Sequence, residues 1–151
     1  MKVVHVKPFE DPKVVEIVPD EDGSYYSELK RLVGGLLEHV DVFFPNGPTV
    51  IVNDEFLLNG SIPNRPLYAT KYMHDAGYLD QLTYSRVVEE GELYLVVFGD
   101  FVVASYDEDG LLRDMTSEEI QAAFDLVKTG EYSLQAVFEL QAIKDKKAIA
   151  N

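Results

Sequence analysis

The sequence predicts an α+β fold, a mostly antiparallel sheet with two main amphipathic helices packed on one of its faces. Two runs of apolar residues at helical spacing support the helices, one in residues 28–40 and one in residues 116–130. Around them, short alternating or continuous apolar stretches are bounded by turn residues, which is typical of strands. With 151 residues and a hydrophobic fraction of 46%, the chain is long enough for one domain with a substantial core.

The N-terminal region predicts a β-hairpin followed by the first helix. Residues 2–7 alternate as a strand does, and residues 13–18 form a second strand that a short linker joins to the first. Ser24 can cap the helix, and apolar residues follow at helical spacing from Leu29. The glycine pair that ends at Gly35 favours a helix end at that point, because glycine is a poor helix former.

The middle of the chain is rich in turn signals. Asn46-Gly47 is typical of a two-residue hairpin turn, here between strands at residues 39–44 and 49–53. The prolines on either side of this dipeptide also suit the tip of a longer loop. A short third strand is expected at residues 56–58. The two prolines at the ends of residues 63–66 then predict an extended loop.

Residues 66–90 have the weakest pattern, with a short helix expected at residues 75–82. His74, Asp75 and Asp80 lie close in sequence, and a histidine near carboxylates can bind a metal or act as an acid–base pair. The glycine between them indicates a loop, so we interpret these three residues as structural.

The two most apolar strands follow, at residues 93–98 and 101–106. We expect both at the centre of the sheet, with Gly99-Asp100 as a tight turn or a bulge between them. A capping box at Thr116 and Glu119 then begins the second main helix, which Gly130 closes.

These elements place a single α+β domain at residues 1–130. Residues 131–151 are a C-terminal extension that fits a helix or a strand equally well and ends in a basic, frayed stretch.

The composition excludes several classes of function. Thirteen basic and 27 acidic residues give a net charge of −14, which disfavours direct binding to nucleic acid. The absence of cysteine excludes a disulfide framework, a thiolate nucleophile and a cysteine-ligated metal. No apolar stretch approaches the ~20 residues of a membrane span, and the N-terminal apolar run is too short for a signal peptide. We therefore expect a cytoplasmic protein that binds neither membrane nor cofactor.

Two Asp-Glu-Asp-Gly tetrapeptides, at residues 20–23 and 107–110, resemble the start of a calcium loop. Neither completes the motif, because Arg31 occupies the twelfth position of the first and Leu112 the sixth position of the second, where glycine is needed. The chain also has no nucleophile elbow, phosphate loop or metal triad. The sequence therefore predicts two solvated turns, no metal site and a protein that is not an enzyme.

Acidic residues concentrate in the second half of the chain. Residues 80–125 contain twelve of them against two arginines, a net charge of −10. A concentrated acidic surface can steer and hold a basic protein partner. The candidate residues for such an interaction are Glu89, Glu90, Glu92, Asp107 and Asp109.

A second candidate site lies in the loop from Asn59 to Arg65. Asn59, Asn64 and Arg65 supply amide groups and a guanidinium, which suit a small anionic ligand. The alternative is that these residues only build the turn.

Several short motifs together resemble a known family. They are MKVVHVKP at residues 1–8, LKRLVGG at 29–35, VNDEFLLNG at 52–60, PNR at 63–65, FGDFVVASYDEDG at 98–110 and MTSEEIQAAF at 115–124. Their order and spacing resemble the family catalogued as domain of unknown function 3846. The departures are a longer segment at residues 66–92 and the extension after Gly130.

This resemblance implies a fold and an origin in phages, plasmids and other mobile elements, mostly of Gram-positive bacteria, but no reaction. Two functions therefore stay open. The first is a non-enzymatic acidic accessory protein. It binds a host or viral protein that carries a basic surface, and it inhibits a defence or nucleic-acid enzyme. The second is a small anionic-ligand binding module that uses the loop from Asn59 to Arg65. A homodimer is compatible with either function.

Overall fold

The computed structural model describes residues 1–55 and 61–129, which form eight strands and three helices. The strands are β1 (Lys2–Val6), β2 (Lys13–Glu16), β3 (Leu37–Val40), β4 (Pro48–Asn53), β5 (Pro63–Tyr68), β6 (Leu93–Phe98), β7 (Phe101–Tyr106) and β8 (Leu112–Arg113). The helices are α1 (Tyr26–Val33), α2 (Lys71–Ala76) and α3 (Ser117–Thr129). The α+β prediction is confirmed. The strand predicted at residues 56–58 and the C-terminal extension lie outside the described residues.

The main sheet is antiparallel, with the strand order β2-β1-β7-β4-β3 and β8 paired to β7. Strand β7 lies at its centre, where Val102 pairs with His5 of β1 on one side and with Ile51 of β4 on the other. Val102 and its neighbours are fully buried, as the apolar run predicts. The opening hairpin is confirmed as well, because β1 and β2 pair directly.

Helices α1 and α3 pack on opposite faces of this sheet, which corrects the prediction that both lie on one face. Successive residues of a strand point to opposite faces. Val102 belongs to a buried cluster with Leu29 and Val33 of α1. Its neighbour Val103 belongs to a second cluster with Ala123 of α3. Because the central strands are apolar on both faces, each face needs a helix to cover it.

Strand β6 corrects a second prediction, since it pairs with β5 in a separate two-stranded sheet and not with β7. Gly99-Asp100 is therefore a corner between the two sheets, neither a hairpin turn nor a bulge. Gly99 has a positive φ of 73°, and its N–H donates to the Ile62 carbonyl at 2.7 Å. An apolar run indicates that a strand is buried, but it does not indicate which strand lies beside it.

The connection between β3 and β4 is a loop at residues 41–47 and not a two-residue turn. The last pair of the ladder is Val40 with Val50. Pro45, which has no N–H to donate to a ladder, lies inside this loop, and Gly47 ends it with a φ of 78°. The alternative of a longer loop is therefore the correct one.

The helix boundaries follow local signals. Helix α1 ends at a left-handed Gly34, as the glycine pair predicts. Helix α2 begins after Thr70, whose side chain accepts from the Met73 N–H, and ends at Gly77, so it lies earlier than predicted. The α3 capping box is confirmed, because Thr116 and Glu119 each accept a hydrogen bond from the backbone N–H of the other.

Candidate interaction surface

Two of the three predicted ligand residues lie in a buried strand. Asn64 and Arg65 belong to β5, with exposures of 0% and 9%. The Asn64 side chain donates to the Val6 and Gly99 carbonyls at 3.0 and 2.8 Å and accepts from Arg65 Nη1 at 2.9 Å. Arg65 Nη2 donates to the Glu10 carbonyl. These contacts favour the alternative that the residues hold the fold together, although an anion-binding role stays a prediction. Asn59 lies outside the described residues.

A hollow of about 530 Å³ lies near this strand, at the end of the main sheet where β7 begins. We call it the Arg31 hollow. Its charged lining is balanced, with Lys7 and Arg31 against Glu10 and Asp100 among the described residues. Arg31 is already bound by Glu28, whose carboxylate accepts from the guanidinium at 3.0 and 3.1 Å. The Arg31 hollow therefore does not present a concentrated positive charge to an anion.

The predicted acidic residues occupy two separate turns. Glu89 and Glu90 are exposed in the turn that precedes β6, whereas Asp107 and Asp109 are exposed in the turn between β7 and β8. Glu92 differs from them, because Arg86 donates to its two carboxylate oxygens at 2.5 and 2.9 Å. Glu92 is therefore neutralised within the fold, and four of the five predicted residues stay accessible.

Phe44, in the β3–β4 loop, connects these two turns. It lines a hollow of about 600 Å³ together with Asp107 and Tyr106, which we call the Tyr106 hollow. It also lines a hollow of about 720 Å³ together with Glu90 and with Asp125 of α3, which we call the α3 hollow. The two acidic turns therefore flank one half-buried aromatic residue.

A third hollow continues the surface on the other side of Tyr106. This α1 hollow, of about 390 Å³, shares His39 and Tyr106 with the Tyr106 hollow. Asp22 and Gly110 both line it, so it brings the two Asp-Glu-Asp-Gly turns together. The described residues that line the three hollows include five acidic ones against one basic residue, Lys71. The five are Asp22, Asp41, Glu90, Asp107 and Asp125.

His39 and Tyr106 form the ridge between the Tyr106 hollow and the α1 hollow. His39 Nε2 lies 2.9 Å from the Tyr106 hydroxyl, and the two rings meet edge to face with centroids 5.5 Å apart. Burial, together with the nearby carboxylate of Asp41, raises the pKa of the Tyr106 hydroxyl. The phenol therefore stays neutral at physiological pH and keeps its hydrogen bond.

An ion pair packs against the end of the β3–β4 loop. Arg113 of β8 donates to both oxygens of Glu119 at 2.7 and 2.8 Å, and the Gly47 backbone lies directly against this pair. The Arg113 guanidinium, helped by the Thr116 N–H, lowers the pKa of Glu119 to about 2. The ionised Glu119 therefore helps to fix one wall of the Tyr106 hollow.

The Glu119 pKa predicts a dependence of stability on pH. Because the folded-state pKa lies below the ordinary value of 4.5, the stabilisation is present above about pH 4.5 and is lost as the pH falls towards 2. In urea unfolding, the stability advantage of the wild type over Glu119→Gln should shrink across this window. Glu118→Gln, at an exposed neighbour, is the control. An advantage that stays constant from pH 5 to pH 2 would contradict the assigned role of the ion pair.

The candidate metal or acid–base group is not assembled. Asp80 is buried, and its carboxylate accepts from the Thr83 N–H and hydroxyl and from the Ser85 and Arg86 N–H groups. These bonds, led by the one from the Thr83 N–H, lower the pKa of Asp80. His74 Nδ1 lies 2.8 Å from the Val88 carbonyl, which raises the pKa of its imidazole. Within residues 1–55 and 61–129, no group of three or more such side chains is arranged to hold a metal.

Comparison with protein families agrees with the motifs in the sequence. The family model described as domain of unknown function (DUF3846) matches residues 1–128. The chain belongs to this DUF3846 family. Searches of curated proteins and of solved structures return no match. Among the described helices, none is long and apolar enough to cross a bilayer.

Sequence reasoning missed the residues at the centre of this DUF3846 surface. His39, Asp41 and Phe44 lie outside every motif in the sequence. Tyr106 lies within the motif at residues 98–110, which gives it no functional role. The four residues meet because β3 and β7 flank β4. The sequence contains one related signal, the tetrapeptide Asp-Glu-Asp-Gly repeated at residues 20–23 and 107–110. A repeat alone does not indicate that its two copies lie beside one another in the fold.

Proposed function

We propose that the protein is a non-enzymatic binding protein that docks a protein partner through a basic surface on that partner. One observation supports this most strongly, the excess of five acidic residues over one basic residue around the three adjoining hollows. Concave surfaces lined by charges of one sign focus their field and raise the local concentration of oppositely charged partners. The half-buried Phe44 adds apolar contact area in the middle of this acidic surface.

The partner that fits this surface best is a protein that normally holds nucleic acid. Such a protein presents lysines and arginines to phosphates, and exposed carboxylates offer the same charge. Together with the resemblance to proteins of mobile elements, this supports an accessory protein of a phage or mobile element. It would inhibit a defence or nucleic-acid enzyme in the host cytoplasm by occupying its basic site.

The proposal is tested by neutralising the accessible acidic residues of the two turns. The variant Glu89→Gln, Glu90→Gln, Asp107→Asn and Asp109→Asn removes four charges while keeping hydrogen-bond acceptors in place. It should bind the partner recovered by the wild-type protein about 10- to 100-fold more weakly, because rim charges each contribute a few tenths to one kcal/mol. Affinity capture from a bacterial host lysate, followed by calorimetry with the purified partner, measures this loss.

A control with the same net charge separates the surface from the overall charge. Glu10, Asp11, Asp54 and Glu55 are exposed and lie at the opposite end of the main sheet, near the start of β7. Their combined neutralisation also removes four charges and should leave the affinity within about twofold of wild type. If both variants lost the same affinity, binding would depend on net charge and not on this surface. If the first variant captured the same proteins as the wild type, the proposal would be wrong.

A further inference from the structure

We infer that the Tyr106 hollow is a receptor for the guanidinium group of an arginine side chain. This inference rests on the proposed function, because the arginine would be an anchor residue of the partner protein. The Tyr106 hollow is the part of the acidic surface that would bind this group.

The hollow offers two carboxylates, and the nearest cation, Arg113 behind Gly47, is already bound by both carboxylate oxygens of Glu119. Asp41 and Asp107 line it, and no lysine or arginine lines it among the described residues. Asp41 Oδ1 accepts from the Thr49 hydroxyl, and Asp107 Oδ1 accepts from the Asp109 and Leu111 N–H groups at 2.9 Å each. One oxygen of each carboxylate is therefore held by the fold. The second oxygen of each has no hydrogen-bond partner in the described part of the chain and can accept from a ligand.

Two aromatic rings complete the lining. Tyr106 and Phe44 are both half-buried beside the carboxylates, and His39 fixes the Tyr106 ring through its hydroxyl. A cation placed over an aromatic face is attracted by the ring quadrupole. Because the phenol is held by an internal hydrogen bond, the ring does not have to be ordered when a ligand binds.

These features favour arginine over the other cations. A guanidinium is planar, stacks on aromatic rings, donates to two carboxylate oxygens at once and is less strongly hydrated than an ammonium group. A lysine ammonium would satisfy the charge but not the flat aromatic contact. A bound metal ion would need a cluster of three ligating side chains, and the described residues contain none.

The test uses small probes, so it does not require the partner to be known. Amide shifts of isotopically labelled protein are followed while N-acetyl-arginine methylamide or N-acetyl-lysine methylamide is added. The arginine probe should give saturable shifts at Phe44, Gly47 and Gly110 and should bind at least about fivefold more tightly than the lysine probe. Asp41→Asn and Asp107→Asn should each weaken its binding about tenfold. Glu108→Gln, which removes an exposed charge beside the hollow without lining it, should change binding less than twofold.

The outcomes separate this inference from the proposed function. Saturable, arginine-selective shifts at the hollow uphold the guanidinium site even if no partner protein is recovered. Shifts that stay linear with concentration, or that are equal for both probes and insensitive to Asp41→Asn, overturn the site. They overturn it even if the four-charge variant loses its partner.

Discussion

Replacing Asn64 with alanine is expected to lower the free energy of unfolding by about 3 kcal/mol. The side chain is fully buried and donates to the carbonyls of Val6 and Gly99. Its loss leaves two buried acceptors and an N–H of Arg65 without this partner, and each unmade bond costs about 1–3 kcal/mol. Val6 belongs to β1 and Gly99 to the corner before β7, so the damage falls on the junction between the two sheets.

Urea unfolding of the full chain measures this loss. Asn46→Ala is the matched control, because Asn46 is exposed in the β3–β4 loop and its removal should change stability by no more than about 0.5 kcal/mol. If Asn64→Ala cost less than about 1 kcal/mol, the side chain would not be the link between the sheets, and its availability to an anionic ligand would have to be reconsidered.

Replacing Gly47 with alanine is expected to cost about 2–3 kcal/mol, from two separate causes. The φ of 78° is unfavourable for any residue with a Cβ atom, by about 1–2 kcal/mol. In addition, a Cβ at this position would lie 2.5 Å from Arg113 Nη2 and 2.5 Å from Glu119 Oε2. The ion pair must therefore move, and the wall of the Tyr106 hollow moves with it.

Gly110→Ala is the control that separates the two causes, because it has the backbone strain without the close contact. Gly110 lines the same hollow with a nearly equal φ of 79°, but a Cβ there would meet nothing within 4 Å. This variant should lose only the backbone contribution, about 1–2 kcal/mol. Equal losses in urea unfolding for the two variants would show that the close approach of Gly47 to Arg113 and Glu119 carries no energetic weight.

Local patterns in the sequence predicted most elements but not their neighbours. The strand predicted at residues 2–7, found as Lys2–Val6, and the capping box at Thr116 and Glu119 follow from patterns local in sequence, and both are confirmed. Pairing of β6 with β5 and the placement of α1 and α3 on opposite faces depend on contacts far apart in the chain. A continuous apolar run such as β7 is compatible with a helix on either face, so periodicity alone does not decide the layers.

The candidate surface was predictable in its charge but not in its shape. The excess of acidic residues after Asp80 is visible in the sequence, yet Asp80 and Glu92 use their carboxylates inside the fold. Conversely, Asp22 and Asp41 lie far outside that stretch and join the surface through the strand order. Asn64 and Arg65 show the reverse case, since polar residues suited to a ligand also make hydrogen bonds at the junction between the sheets.

Zero-length carbodiimide coupling tests the interaction surface most directly, because it joins carboxylates only to lysine amines in contact with them. The complex recovered by the wild-type protein is coupled, digested and analysed by mass spectrometry. We expect links from Glu89, Glu90, Asp107 and Asp109 to lysines of the partner. Links confined to Glu10, Asp11, Asp54 and Glu55 would place the partner at the opposite end of the sheet and contradict the acidic surface as the site of docking.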